Sequence, residues 1–538
     1  MVYAFDRNEP ATKLLAAFAD RAKAERARAA SPIEDDARRR IVVRFAGMRV
    51  SGRQSRTVSS PALRRAVPGA VVLLMSIGRP AHADEPVSAR EPRLLSETGE
   101  NTTVIDAFDK DDPFDANLLL ILRQQWKSAN IRRETALAQG GLSSGGFVSA
   151  NENVAKYSQS ITTLEVGADI GLFRDLALSF RLPIILADSR ELSDLDGSTA
   201  NPQRLQDPAG DQLFNVPFKS PTRSGIDQLG FALNYAIFNQ MRDDSKPTWV
   251  IGVESRFAVG PRMHACNENA PVKCPDPANP NGPSREPGVS RGMTTLAAHT
   301  IVSRRYGYLE PYLGFRVQLE LPQSNSDFGA TSDVKGTLLS RPPVLGTFTV
   351  GTEVFPWENR EAFQRVGLDF KMRGTYHSPG REYSELFDAL GSTQARSLRS
   401  ANPGAFRAGD GGASVVDPNA GQVFFTGITD QQAYSSFGGS VGVTVQAGEY
   451  VKFNAGFGLA HSQSHLITAA DACNPDIKGD PGASGPCRAG APGSSAAGGT
   501  ATGVPNPNHR PVIDLPGRRF TVDDTTIIDL WLSGVVMF

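Results

Sequence analysis

Ile528-Asp529-Leu530-Trp531-Leu532-Ser533-Gly534-Val535-Val536-Met537-Phe538 is an alternating stretch. Ile528, Leu530, Leu532, Val536 and Phe538 fall on one side of an extended chain, interrupted only by Gly534. Successive residues of a strand point to opposite faces, so this stretch presents one continuous apolar face and puts the carboxylate of Asp529 on the other. Such a strand calls for an apolar surrounding on one side and water on the other. Lipid outside a membrane barrel and a polar lumen inside it supply that pair of environments.

The same pattern recurs upstream. In Ile161 to Leu186, Leu164, Val166, Ala168, Ile170 and Leu172 alternate with Glu165, Gly167, Asp169 and Gly171. The chain reverses at Phe173-Arg174-Asp175, and Leu176, Leu178, Phe180, Leu182, Ile184 and Leu186 alternate with Ala177, Ser179, Arg181, Pro183 and Ile185. These runs exceed ten residues, the length a tilted membrane strand needs; strands of a sandwich are nearer five or six. Four more hairpins follow: Gln228 to Phe238 with Trp249 to Val259, Thr294 to Ser303 with Leu309 to Leu321, Thr347 to Phe355 with Val366 to Tyr376, and Phe437 to Val445 with Val451 to Leu459. Asn117 to Trp126, with Leu118, Leu120, Leu122 and Trp126 on one face, opens the set and Ile528 to Phe538 closes it. The pattern predicts an all-β, transmembrane, antiparallel up-and-down barrel of about twelve strands over residues 116–538.

Connection lengths orient it. Turns inside the hairpins are short, whereas the connections between them, including the one from Trp126 to Ile161, are long and rich in Gly, Pro, Asn, Asp and Ser. Short periplasmic turns and long extracellular loops are the rule for such barrels. Trp357, Tyr306, Tyr308, Phe173, Tyr450 and Phe538 gather at the short-turn end, as an aromatic girdle at one lipid interface would.

Composition agrees. With 56 basic and 57 acidic residues the net charge is −1, which excludes the basic surplus of a nucleic-acid binder. Glycine contributes 52 of 538 residues, above the usual ~7%. Mean hydropathy is slightly negative, and no apolar run reaches the ~20 residues of a spanning helix. Barrel strands escape such averages because only alternate residues face lipid.

The N-terminal region reads as a leader. Arg64-Arg65 precedes a short apolar core, Ala66 to Ile77, and Ala81-His82-Ala83 is a small-x-small cleavage site. Residues 48–83 are expected to be an export signal starting at Met48, residues 1–47 an over-extended gene start or an unusually long leader, and residues 84–115 a solvated periplasmic segment. Asp106, Asp109, Asp111, Asp112 and Asp115 lie there without the Gly and Glu of a calcium loop.

Cys266 and Cys274 share one polar stretch, and Cys473 and Cys487 another. Without CxxC spacing or adjacent histidine, two intraloop disulfides are expected rather than a metal site. Histidines assemble no site either. His461 and His465, four apart on a strand, would lie roughly 13 Å apart, and His377 beside Ser378 lacks the rest of a hydrolase constellation. No catalytic residue, metal or cofactor is expected.

The inner face is expected to carry Glu165, Asp169, Arg181, Glu254, Arg256, Arg316, Glu320, Glu353, Asp369, Lys371, Arg373, Lys452 and Asp529. These mixed charges serve either as a network that fills and stiffens the barrel or as a channel lining. Facing them to lipid would cost roughly 2–4 kcal/mol for each Arg or Lys near the midplane.

Two resemblances add to this reading. Leu530, Leu532, Gly534, Val536 and Phe538 resemble the assembly signal of outer-membrane barrels, although the glycine usually stands one residue earlier, where this chain has Ser533. Leu164-Glu165-Val166-Gly167-Ala168-Asp169-Ile170-Gly171-Leu172-Phe173-Arg174-Asp175-Leu176 with Arg181-Leu182-Pro183, and Ser224-Gly225-Ile226-Asp227-Gln228-Leu229-Gly230, resemble the outer-membrane transporter family grouped under the meta-pathway of phenol degradation. The resemblance covers most of the chain from about Asn117 onward and its motifs are architectural. It implies a bacterial outer-membrane protein, in lipid and served by the assembly machinery, that takes up small hydrophobic or aromatic molecules. The alternative is a closed barrel whose loops make a structural or adhesive surface.

Overall fold

The structure, a computed structural model, describes residues 115–138, 147–195, 205–324, 326–328, 341–404, 421–474 and 501–538, with 105, 107, 406–408, 414–416, 419, 487 and 488 beside them. The chain divides into two units, Met1–Pro80 and Ala81–Phe538. Residues 1–47 and Ala66 to Ile77, the expected core of an export signal, lie outside the described residues.

Twelve antiparallel strands form the wall: β1 (Ala116–Ala138), β2 (Phe147–Phe173), β3 (Leu176–Ser193), β4 (Gln228–Phe238), β5 (Thr248–Ala258), β6 (Met293–Ser303), β7 (Leu309–Pro322), β8 (Leu345–Asn359), β9 (Gln364–His377), β10 (Tyr434–Gly448), β11 (Val451–Ser462) and β12 (Phe520–Met537). Each pairs with its sequence neighbours, and β12 pairs with β1 (Val536 opposite Leu118, Ile528 opposite Trp126), so the sheet has no free edge. Closure is what lipid demands, because an unpaired backbone group in hydrocarbon costs several kcal/mol.

The outer face is apolar. Leu118, Leu120, Leu122, Val166, Phe231, Leu233, Ile251, Val253, Leu313, Phe315, Phe370, Met372, Phe453, Leu530 and Leu532 are all exposed large hydrophobics. Exposure on this scale in a water-soluble monomer would be an aggregation site; as a belt around a closed barrel it is the lipid-facing surface. Phe173, Tyr306, Tyr308, Trp357, Tyr450 and Phe538 are exposed in a ring at the short-turn end. The chain is a bacterial outer-membrane β-barrel.

One expectation needs correcting. The first strand does not end at Trp126 before a long loop. It runs on to Ala138, and β2 starts at Phe147 and pairs with it along its length. β3 and β12 are also prolonged, to 18 residues each, against 11 for β4, β5 and β6. Roughly 9–11 residues suffice to cross the membrane, so this side of the barrel rises beyond the lipid.

Beyond the lipid the alternation inverts. Within the membrane Leu120 and Leu122 point out, and Arg123 points in. Higher up, Ala129 and Ile131 are buried inside while Asn130 and Arg132 face water. Phe520 and Val522 do the same on β12. What they pack against is the external loops. Leu213, Leu386, Leu390, Leu398, Phe425, Ile467 and Ile513 join Ile131, Phe520 and Val522 in one buried core. A second cluster unites Met263, Ala265, Phe328, Phe387 and Ile428 with Met293 of the wall. At about 1.5–3 kcal/mol per fully buried large side chain, these cores hold the loops as a folded cap.

Charge pairs pin the cap. Glu382, Glu385 and Asp388 occur at three-residue intervals around the short helix Phe387–Gly391. Glu382 meets Arg291 at 3.1 Å, Glu385 meets Lys127 of the barrel wall at 2.6 Å, and Asp388 meets the fully buried Arg223 at 2.6 Å. Asp388 also accepts the Cys266 N–H (3.0 Å) and the Ser220 hydroxyl (2.9 Å). Cys266 and Cys274 form a disulfide within one cap loop. Cys473 and Cys487 sit in short strands that both pair with Ala501–Pro505, and their side chains lie outside the described residues.

Three residues of the segment expected to be a solvated periplasmic leader are described, and they are not solvated. Ile105, Ala107 and Asp115 are buried, and Ala107 exchanges two backbone hydrogen bonds with Arg174 of the β2–β3 turn, at 3.0 and 2.8 Å. Asp106, Asp109, Asp111 and Asp112 lie outside the described residues.

Replacing one partner of a buried ion pair strands the other, a cost of about 3–5 kcal/mol. Asp388→Ala is therefore expected to expose the cap to limited proteolysis while the barrel keeps its heat-modifiable migration on a semi-denaturing gel. Unchanged cap cleavage would show that the pair does not hold it.

Candidate functional site

The lumen has three levels. At the periplasmic end the inward side chains are packed together. Ala177, Thr248, Val250, Ser303, Glu310, Glu353, Phe355, Arg365, Gln446, Lys452 and Val535 are all buried. Ser303 donates to Glu310 at 2.6 Å, and the Arg305 and Arg365 guanidiniums lie 4.2 and 5.3 Å from the centroid of the Phe355 ring. Burial of this kind fills the barrel rather than lining a bore.

The middle level differs. Arg123 points inward from β1 with half of its side chain, 50%, exposed, and Arg373 of β9 is also exposed. In a closed barrel, exposure of an inward side chain means that water has room beside it. This level is a chamber.

Its walls carry ion pairs. Arg123 holds Asp529 in a two-point contact, with Nε to Oδ1 at 2.8 Å. Arg181 bridges Asp169 at 2.7 Å and Glu165 at 3.6 Å. Glu254 serves both Arg256 and Arg316, the latter at 2.7 Å. Asp369 takes Lys371 at 3.3 Å and the Tyr312 hydroxyl at 2.6 Å. Glu320 reaches up to Arg291 of the cap. The thirteen charged positions named from the sequence thus lie at different heights: Glu353, its cross-strand partner Asp369 and Lys452 at the packed end, Glu320 under the cap, and the others between them.

Several groups were not singled out from the sequence. Arg123 and Lys127 alternate with Leu118, Leu120 and Leu122 and were readable from that phase. Trp531 lies on the inner face, donates to Asn454 Oδ1 at 2.6 Å, and covers Gly456, where an added Cβ would sit 2.0 Å from its ring. Only glycine fits beneath that indole.

Between chamber and cap stands a three-ring stack. The His377 and Tyr434 rings are 4.2 Å apart, and the Tyr434 and His465 rings 3.7 Å, all nearly parallel. His461 faces outward, so it shares no site with His465. Ser378 Oγ accepts the Val344 N–H at 2.8 Å, a loop tie rather than a nucleophile's partner. Among the described residues no group of three or more His, Cys, Asp or Glu is placed to hold a metal ion.

The cap encloses carboxyls far from their ordinary range. Burial pushes Asp514 up to about 8, helped by the nearby Asp430 and opposed by the N–H groups of Arg510 and Ala470 that it accepts. Burial likewise lifts Glu382 to about 7 against the pull of Arg291, and Asp430 to about 6 against that of Arg381. Burial also works on Glu385, but the Lys127 charge and hydrogen bond outweigh it and hold that carboxyl below its usual value.

No protein-family model matches the chain, and no curated protein matches its sequence. Solved structures similar to it include an outer membrane channel from Pseudomonas putida F1, at 10% identity and TM-score 0.32 over 80% of this chain and 100% of that one. A FadL homologue from Pseudomonas aeruginosa aligns at 8% identity and TM-score 0.29 over 78% and 90%. The outer membrane protease OmpT from Escherichia coli aligns at 7% and 0.23 over 78% and 97%. Channels and a protease stand side by side in this group, and likeness at this level assigns no activity.

Asp514, Glu382 and Asp430 bind their protons more tightly in the folded cap than in an unfolded loop, where carboxyls titrate near 4. The stability tied to those protons is complete below about pH 4 and is lost as pH rises through about 6, 7 and 8. Glu385 runs the other way and loses its contribution in acid. Amide exchange in residues 381–390 and 510–514, corrected for intrinsic rates, is expected to be faster at pH 8.5 than at pH 6. Asp514→Asn should flatten that dependence, and protection that grows with pH would contradict it.

Proposed function

We propose that this barrel is a channel or uptake protein that passes small molecules across the outer membrane by way of its central chamber. The observation that carries the reading is the water-accessible space beside Arg123 and Arg373 inside a closed, lipid-belted wall. A barrel built only to fill itself would bury those guanidiniums as completely as it buries Glu310 and Gln446. Charged walls with paired counter-ions keep such a space wet and give it a preference among solutes. The resemblance of the first hairpins to a transporter family supports the same reading and adds aromatic and other hydrophobic compounds as the solute class. On this reading the protein is not an enzyme, and Leu530, Leu532, Gly534, Val536 and Phe538 serve its insertion by the assembly machinery.

Passage requires movement at both ends. The folded cap stands over the chamber and the packed side chains stand under it. The Lys127–Glu385 pair is one of the contacts that join the cap to the barrel wall, beside Glu320 with Arg291 and the apolar cores. The same packing favours a second reading, a closed barrel that displays its cap as a structural or adhesive surface.

Single-channel recording in planar bilayers separates the two. Wild-type protein is expected to show small, intermittent conductance. The Lys127→Ala/Glu385→Ala double variant, which removes that contact without stranding either charge, should raise open time or conductance several-fold. Silence in both proteins would leave the closed barrel as the function.

A further inference from the structure

Arg373 differs from its charged neighbours. Arg123, Arg181, Arg256, Arg316 and Lys371 each meet a carboxylate, whereas Arg373 has no ion-pair or hydrogen-bond partner among the described residues and is exposed to the chamber. Its cross-strand neighbours are Thr349 on β8 and Gly438 on β10, one uncharged and the other without a side chain. Arg123 and Arg316 lie near enough for their charges to act on it, as does Asp529. That carboxylate is already gripped by Arg123, and Glu254, which pairs with Arg316, is divided between two guanidiniums. A guanidinium kept unpaired beside two like charges is unfavourable unless water or an anion answers it.

We infer that Arg373 anchors a binding site for the carboxylate of a small organic acid. The site deepens the transport reading, since it rests on the chamber being where solute stands. A guanidinium offers a planar fork of N–H donors matched to a carboxylate's two oxygens, and Arg123 and Arg316 add attraction without competing for the fork. The wall beside it supplies room for the body of the molecule. Gly438 and Ser440 on β10, both half-buried, face the lumen with little side-chain volume and no charge. A bare inorganic ion would leave that surface unused.

The test measures binding apart from passage. Purified barrel in neutral detergent is titrated with radiolabelled benzoate and propionate, with benzyl alcohol and inorganic phosphate as competitors. Saturable binding of at least one acid is expected, weakened about tenfold or more in Arg373→Gln, where a hydrogen bond to a charged group is lost, and partly kept in Arg373→Lys. Benzyl alcohol should not compete. Heat-modifiable migration of both variants shows that they fold. Equal affinity in Arg373→Gln, absence of saturable binding for both acids, or displacement by phosphate as effective as by unlabelled acid would each overturn the assignment. Binding by a protein that never conducts would uphold this site and sink the transport reading; conductance without binding would do the reverse.

Discussion

Every part of this molecule follows from one constraint: in hydrocarbon a backbone N–H or C=O must find its partner within the protein. A sheet meets that demand only by closing, and closure here is the pairing of β12 with β1 from Asn117–Met537 to Arg133–Phe520. Once the sheet is a cylinder, each strand separates two environments, and the side chains have to sort themselves accordingly. The outer belt and the charged inner wall are two consequences of the same closure.

Closure also fixes what the interior can be. Twelve strands leave a lumen narrow enough for side chains to meet across it, so the character of each level depends on what those side chains are. Where Phe355, Arg305, Arg365 and Glu310 point inward, aromatic and charged bulk interlocks and the barrel is full. Where Gly438 and Ser440 do, one wall recedes and space remains in front of Arg373 and Arg123. The chamber is made by the small side chains of β10 as much as by the charged groups around it. Trp531 marks the boundary, since its ring occupies the hollow over Gly456 that would otherwise extend the space downward.

How much of this was legible in the sequence depended on where the solvent changes. All twelve strands could be read where one face meets lipid and the other the lumen, because Leu120 and Arg123, or Val166 and Glu165, then differ sharply along the period of two. The upper half of β1 was not legible for the same physical reason. Above the lipid the outward positions Asn130 and Arg132 meet water and the inward positions Ala129 and Ile131 meet the cap, so the alternation persists with its sign reversed, and a search for apolar-outward strands ends at Trp126. The charged inner positions could be named from phase alone. Their partners could not, because Arg316 with Glu254 or Arg123 with Asp529 is set by how the cylinder curves and not by spacing along the chain. The ring stack of His377, Tyr434 and His465 joins three segments whose distances in sequence carry no hint of contact.

The cap shows why long loops on a barrel need not be loose. A loop over water has no lipid to order it and must acquire a core of its own; here the prolonged strands β1, β2, β3 and β12 supply a sheet face to pack against, which is the ordinary way a soluble domain is built. The cap is in effect a small globular layer whose sheet is borrowed from the membrane barrel. Its acids then meet two fates. Glu385 faces Lys127 and anchors the cap in the ionised form, whereas Asp514, Asp430 and Glu382 are enclosed so thoroughly that the proton is retained toward neutral pH. A layer held partly by ion pairs and partly by protonated carboxyls has no single pH at which all its fastenings are strongest. Its hold on the barrel wall is therefore shared between the apolar cores and contacts such as Lys127 with Glu385, whose contribution is lost in acid.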